Sequence, residues 1–232
     1  MGIGSKLTST LTPKLAGVAL NGAAPGLTSN FVREALDRAV RGVPPALPPA
    51  AFTAWKVKRE ADGDVKRAIH DVIERHVRYA GAQGFVTNLG GIVTAAVTIP
   101  TNVSGLALIQ SRMIACIADL RGHDMHDPRV RAAILAALLG EDQVRTLVKS
   151  KKLPGTPIQL ATGGALDPQL EKEIAGRVAN ELLTRVTGKK VVGTVARKVP
   201  IAGGMVGLCA DGYATWKLGR YADSEFRPRA KR

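Results

Sequence analysis

The stretch Thr87–Gly105, TNLGGIVTAAVTIPTNVSG, decides the fold. It is the centre of an uncharged run from Tyr79 to Ser111, closed by Arg78 on one side and Arg112 on the other. Three structures compete for it: a membrane span, a glycine loop around a phosphate, and the dry interior of a helical protein. As a span it is weak. Between Gly84 and Ser104 the strongly apolar residues are outnumbered by Gly, Thr, Asn, Pro and Ser, and each strong apolar residue contributes only about 0.3–0.6 kcal/mol to insertion. As a phosphate loop it lacks the GxGxxG and GxxxxGK[ST] spacings. The one Gly-Lys step, Gly188–Lys189, has no glycine at the upstream position, and Gly188 reads as a helix stop. What remains is a buried helical hairpin bent at Pro100.

A glycine inside a helix costs about 1 kcal/mol relative to Ala, so a cluster of them needs an offsetting contact. Thr87, Gly91 and Ala95 fall four apart, as do Gly203, Gly207 and Asp211. Such stripes of small residues let a second backbone approach. The expectation is close helix packing at Gly90, Gly91, Gly203 and Gly207. Burying Ile92, Val93, Val97 and Ile99, at about 1.5–3 kcal/mol each, outweighs the glycine cost.

Working outward, the chain of 232 residues is 45% hydrophobic and 22% charged, the balance of a globular protein. Aromatics are only 4%, so the core is built from aliphatic side chains and helix packing is favoured. Cys116 and Cys209 lie in apolar stretches without CxxC spacing, which predicts two buried reduced thiols and a cytoplasmic setting. The acid-free first 33 residues do not read as a targeting peptide, because Gly17, Asn21 and Gly22 interrupt the apolar part.

Helix signals recur along the chain. TSNFVREALDRAVRG (28–42) carries polar residues at its start and Gly42 as a stop, and VPPALPP (43–49) then breaks it. A helix is expected from Asp64 to Gln83, with His76 on its apolar face. Asp127 with Pro128, and Asp167 with Pro168, are cap and first-turn pairs that open further helices. EDQVRTLVKSKK (141–152) sets acids first and lysines last, which suits a helix dipole. LPGTPIQLATGGALDP (153–168) reads as the longest loop, and Pro200 as a bend before a final helix. No strand-period run or internal repeat of any length stands out. The reading is an all-α single domain over residues 50–226, preceded by a mobile N-terminal arm and Pro-rich hinge (1–49) and followed by a basic tail (227–232).

The stretch QGFVTNLGGIVTAAVTIPTNVSGLALIQSRMIACIADLRGHDMHDPRVRAAILAALLG (83–140) resembles the centre of the EcsC family. There a Gly-Gly, a proline-bent hydrophobic hairpin, an Arg-containing helix and a Gly-x-Asp-x-x-Asp-Pro turn follow in order. KVPIAGGMVGLCADGYATWKLGRYADSEF (198–226) is similar to that family's C-terminal Pro-x-x-Gly helix, so the likeness covers most of Gly63 to Phe226. His123 stands where an aromatic residue is common in the family. The resemblance implies a helical cytoplasmic protein at the membrane face and brings no reaction with it.

Candidate chemistry is sparse. GHDMHDP (122–128) groups His123, Asp124, His126 and Asp127, but supplies no third metal ligand by spacing and reads better as a turn with a helix cap, so no metal or cofactor is expected. Arg112 and Asp119 lie one heptad apart on an otherwise apolar helix. With Asp211 they form either a buried ion pair or a helix-lined pocket for a small anionic ligand or substrate. No GxSxG or HExxH motif supports an enzyme.

The net charge of +14 points to an anionic partner. Its candidate contacts are Lys56, Lys58 and Arg59; Lys149, Lys151 and Lys152; Lys189 and Lys190; and Arg197 and Lys198. Trp55 or Trp216 could insert beside them. Stacking platforms and nucleic-acid motifs are missing. The expected partner is therefore anionic lipid or a membrane protein rather than a specific nucleic acid, with the chain held peripherally and non-enzymatically. The sequence leaves the oligomeric state open.

Overall fold

A computed structural model describes residues 25–45, 47–89, 95–165, 167–193 and 200–227. Among them are nine helices: α1 Pro25–Arg41, α2 Ala50–Glu60, α3 Val65–Leu89, α4 Ala95–Leu120, α5 Pro128–Leu138, α6 Glu141–Lys149, α7 Pro157–Thr162, α8 Pro168–Gly193 and α9 Pro200–Glu225. No strand occurs among the described residues, only an isolated bridge between Val43 and Leu47. The all-α reading holds.

Local chemistry explains where most helices begin and end. Asp64 accepts from the backbone N–H groups of Lys66 and Arg67. Asp127 caps α5 by accepting from Arg129 N, with Pro128 in the first turn, and Asp167 accepts from Gln169 N at the start of α8. Each satisfies N–H groups that a helix start leaves without partners. Gly42 ends α1 at φ +80°, where a Cβ would also lie 2.3 Å from the Leu47 carbonyl oxygen. Only glycine fits that turn.

α4 is the hub, in contact with α1, α2, α3, α5, α8 and α9. Its residues Met113 to Ala118 are sealed from solvent. α5 is buried almost all round, from Ala132 to Leu138, and packs on α4, α7 and α8. The most extensive helix pair is α3 with α9. At Gly219 a Cβ would lie 2.8 Å from Ile73 Cγ1 and 3.1 Å from Met113 Sδ. The absent side chain is what lets α9 lie down on α3 and α4.

Five expectations change. The helix read at 28–42 forms, as Pro25–Arg41, but it is not part of a mobile arm: Val32, Leu36, Ala39 and Val40 are buried and it packs on α4 and α8. Pro100 lies inside α4, so it does not separate two helices. Gly188 is not a stop, because α8 continues to Gly193. The loop at 153–168 contains α7, whose start is a capping box between Thr156 and Gln159. Cys209 is exposed, whereas Cys116 is buried. No helix among the described residues is long and apolar enough to cross a membrane.

Candidate functional site

Arg112, buried in α4, has its donors occupied from two sides. One guanidinium nitrogen donates to Ala39 O at 3.1 Å and the other to Thr53 Oγ1 at 2.6 Å. Ala39 lies in the last turn of α1, and the N–H that would continue the helix ladder, that of Val43, is bonded to Leu47 O instead. Arg112 therefore caps the C-terminal end of α1 and ties it to α2. A cation is well suited to that end of a helix dipole. Cys116, one turn on, donates its S–H to Ala50 O at 3.5 Å, and burial pushes its thiol up to about 12.

Asp119 is only partly buried. Desolvation raises its carboxyl, opposed by the charge of Lys58 rather than by Arg112. Asp211 is buried on α9, the helix that packs chiefly on α3. None of the three lines either of the two surface grooves described below. Beside Arg112, His76 is the hydrogen-bonded core histidine that the apolar face of α3 predicts: Nδ1–H donates to Val72 O at 2.7 Å. Burial is the main cause that lowers its pKa to about 4, assisted by the positive charges of Arg112 and Arg75. The ring is neutral at pH 7.

The GHDMHDP segment is a turn clasped by the end of α9. Asp124 accepts from His126 N at 2.8 Å, and Asp127 from Arg129 N and the Arg129 side chain. His123 Nε2 donates to Phe226 O at 3.0 Å and meets the Phe226 ring edge-to-face at 5.3 Å. Arg121 and Arg227 both bind Asp223. Burial alone would raise the Asp223 carboxyl, but those two guanidinium groups outweigh it and hold the carboxyl below its ordinary value. Among the described residues no cluster of His, Cys, Asp and Glu could hold a metal.

The basic groups divide. Lys56, Lys58 and Arg59 are exposed on α2, and Lys149, Lys151 and Lys152 are exposed at the end of α6. Lys151 and Lys152 border an open groove of about 400 Å³ that Glu173, Asp167 and Arg177 also line, so its charge is mixed. A second groove, about 470 Å³, runs between α3 and α9 and is lined by His70, Glu74, Val77, Arg78, Trp216 and Arg220. Gly90, Gly91, Arg197 and Lys198 lie outside the described residues, as do the surroundings of Lys189, Lys190, Gly203 and Gly207.

What stands out of place is on the surface of α2. Phe52 and Trp55 are each about half exposed, at 51% and 50%, with ring centroids 5.6 Å apart. Arg59 lies over the Trp55 ring at 4.8 Å. Phe52, Trp55, Lys56 and Arg59 are spaced i, i+3, i+4, i+7, one stripe of a helix. Ala50, Ala54, Val57 and Ala61 occupy the opposite, buried side. The ridge thus joins two rings and two cations on the side of α2 opposite its buried residues. Sequence reasoning singled out Trp55 and the cations but missed Phe52. The spacing was visible; the exposure was not.

Residues 56–230 match the family model of the EcsC protein family, and the chain belongs to that family. The match begins at Lys56, so Phe52 and Trp55 stand just upstream of it. No curated protein and no solved structure matches the chain.

Proposed function

We propose that the protein is a non-enzymatic, peripheral membrane-associating member of its family, held on an anionic lipid surface, with the inner face of the membrane as its expected site. The observation that carries this reading is the α2 ridge. Two exposed rings flanked by cations match the chemistry of the headgroup zone, where aromatic rings lie between oil and water and Lys or Arg meets phosphate. Each basic residue near an anionic surface adds about 1 kcal/mol. Lys56, Lys58, Arg59 and the rings together support weak, reversible and salt-sensitive attachment. The net charge of +14 brings the chain towards such a surface.

The reading of Arg112, Asp119 and Asp211 as an anion pocket has less to rest on, because Arg112 spends its donors on Ala39 and Thr53. Flotation of the full chain with phosphatidylcholine vesicles, with and without phosphatidylserine, tests the proposal. The expected result is recovery with the acidic vesicles at low salt and release at high salt. Equal recovery with neutral and acidic vesicles at low salt overturns it.

A further inference from the structure

Trp55 and Trp216 are the two tryptophans of the chain, and both stand in the same eight-residue frame, FTAWKVKR at 52–59 and YATWKLGR at 213–220. The frames share an aromatic residue first, Trp fourth, Lys fifth, an aliphatic residue sixth and Arg eighth. On a helix the first, fourth, fifth and eighth positions form one stripe, with the third and sixth on the other side. The structure shows that division in both copies. Ala54 and Val57 are buried in one, Thr215 and Leu218 in the other. Tyr213 and Trp216 are exposed at 67% and 46%, and their rings stack at 6.0 Å as the Phe52 and Trp55 rings pair on α2. The sequence does contain an internal repeat, too short to be noticed before its exposed side is known.

The two ridges stand on either side of α3. Glu60 of α2 accepts from Arg75 of α3, whereas Gly212 and Gly219 of α9 lie against Val77 and Ile73. At 3.6 residues per turn Arg75 points about 160° away from Ile73 and from Val77, so α2 and α9 flank α3 on opposite sides. Both also rest on α4, and each ridge is opposite its own helix's buried residues. Two helix spacings place the ridges about 16–20 Å apart. Between them α3 exposes Lys66, Arg67, His70, Glu74 and Arg78.

Resting on the membrane reading above, we infer that the α9 ridge is a second bilayer anchor, so that α2, α3 and α9 lie against one anionic lipid surface with α4 behind them. Rings at headgroup depth and cations beside them suit lipid phosphate at both ridges. Two ridges held apart by a rigid helix meet a flat surface together, and linking two weak contacts raises the overall affinity without any new one. The anchors are unequal. Lys217 is bound to Asp142 at 3.0 Å, which leaves Arg220 as the main cation of the α9 ridge, whereas α2 presents Lys56, Lys58 and Arg59.

The test uses full-length Trp55→Phe and Trp216→Phe, each of which leaves one tryptophan as reporter. They are mixed with phosphatidylserine-containing vesicles whose acyl chains carry bromine, a short-range quencher. The expected result is quenching of both reporters, with Arg220→Gln lowering the partition coefficient about fivefold. Vesicle binding with Trp55 quenched and Trp216 at its solution intensity overturns the second anchor and leaves the membrane reading standing. Failure of the unaltered chain to bind acidic vesicles overturns both.

Discussion

Thr53 and Trp55 are two residues apart on α2 and meet opposite environments. Thr53 turns inward to a buried charge, Arg112, which also donates to the Ala39 carbonyl at the end of α1. Trp55 turns outward, half in water, with Phe52 and Arg59 against it. Inside, a charge that looks misplaced bonds to two different helices, which gives it a structural role. Outside, two rings keep about half their surface in water beside a cation, which is the feature the membrane proposal rests on. Substitutions on the two faces should therefore separate stability from binding.

The largest expected effect is on the inner face. Arg112→Ala removes a charged donor from two hydrogen bonds and leaves Ala39 O without its cap, at a cost of about 2–4 kcal/mol. Denaturant unfolding checks this, and the folded fraction should still bind acidic vesicles. A similar loss follows from acid. His76 has its pKa lowered to about 4 in the fold from an ordinary 6.5, so between those values the unfolded chain binds the proton that the folded one refuses. Stability is complete above pH 6.5 and falls as pH drops towards 4, by about 3 kcal/mol in all. Unfolding midpoints across that range should decline, and His76→Leu should flatten the decline.

Close packing comes next. Gly219→Ala places a methyl group against Ile73 and Met113 and should cost about 1–3 kcal/mol despite the better helix propensity of Ala. Gly176→Ala on α8, where a Cβ meets open space, should stabilise by up to about 1 kcal/mol, and thermal melts of the pair would show opposite signs. The smallest effect belongs to the outer face. Arg59→Gln should leave the melt unchanged and weaken binding to acidic vesicles about fivefold.

Signals that act over a few residues were legible in the sequence. Asp64, Asp127 with Pro128, Asp167 with Pro168, Gly42 and Pro200 mark helix ends because capping and φ restrictions are local. The turn at 122–128 was readable for the same reason. The surroundings of Gly90, Gly91, Gly203 and Gly207, where close approach is expected, lie outside the described residues; among the described ones it occurs at Gly212 and Gly219, which spacing did not single out because which helix face meets α3 depends on tertiary packing. α7 was hidden by its flanking Pro and Gly residues, although Thr156 and Gln159 were in capping-box spacing. Heptad spacing put Arg112 and Asp119 on one stripe but could not reveal that Arg112 bonds to a carbonyl and a hydroxyl on two distant helices. Nor does periodicity report how many neighbours surround an element, which is why α5 turns out to be buried almost all round.

The most direct test of the central claim is the partition coefficient of full-length Phe52→Ala/Trp55→Ala between buffer and phosphatidylserine-containing vesicles, measured beside its unfolding midpoint. The account predicts binding weakened about tenfold or more, with the midpoint lowered only modestly because each ring has about half its surface in water. Binding equal to that of the unaltered chain, with the variant still folded, would contradict it.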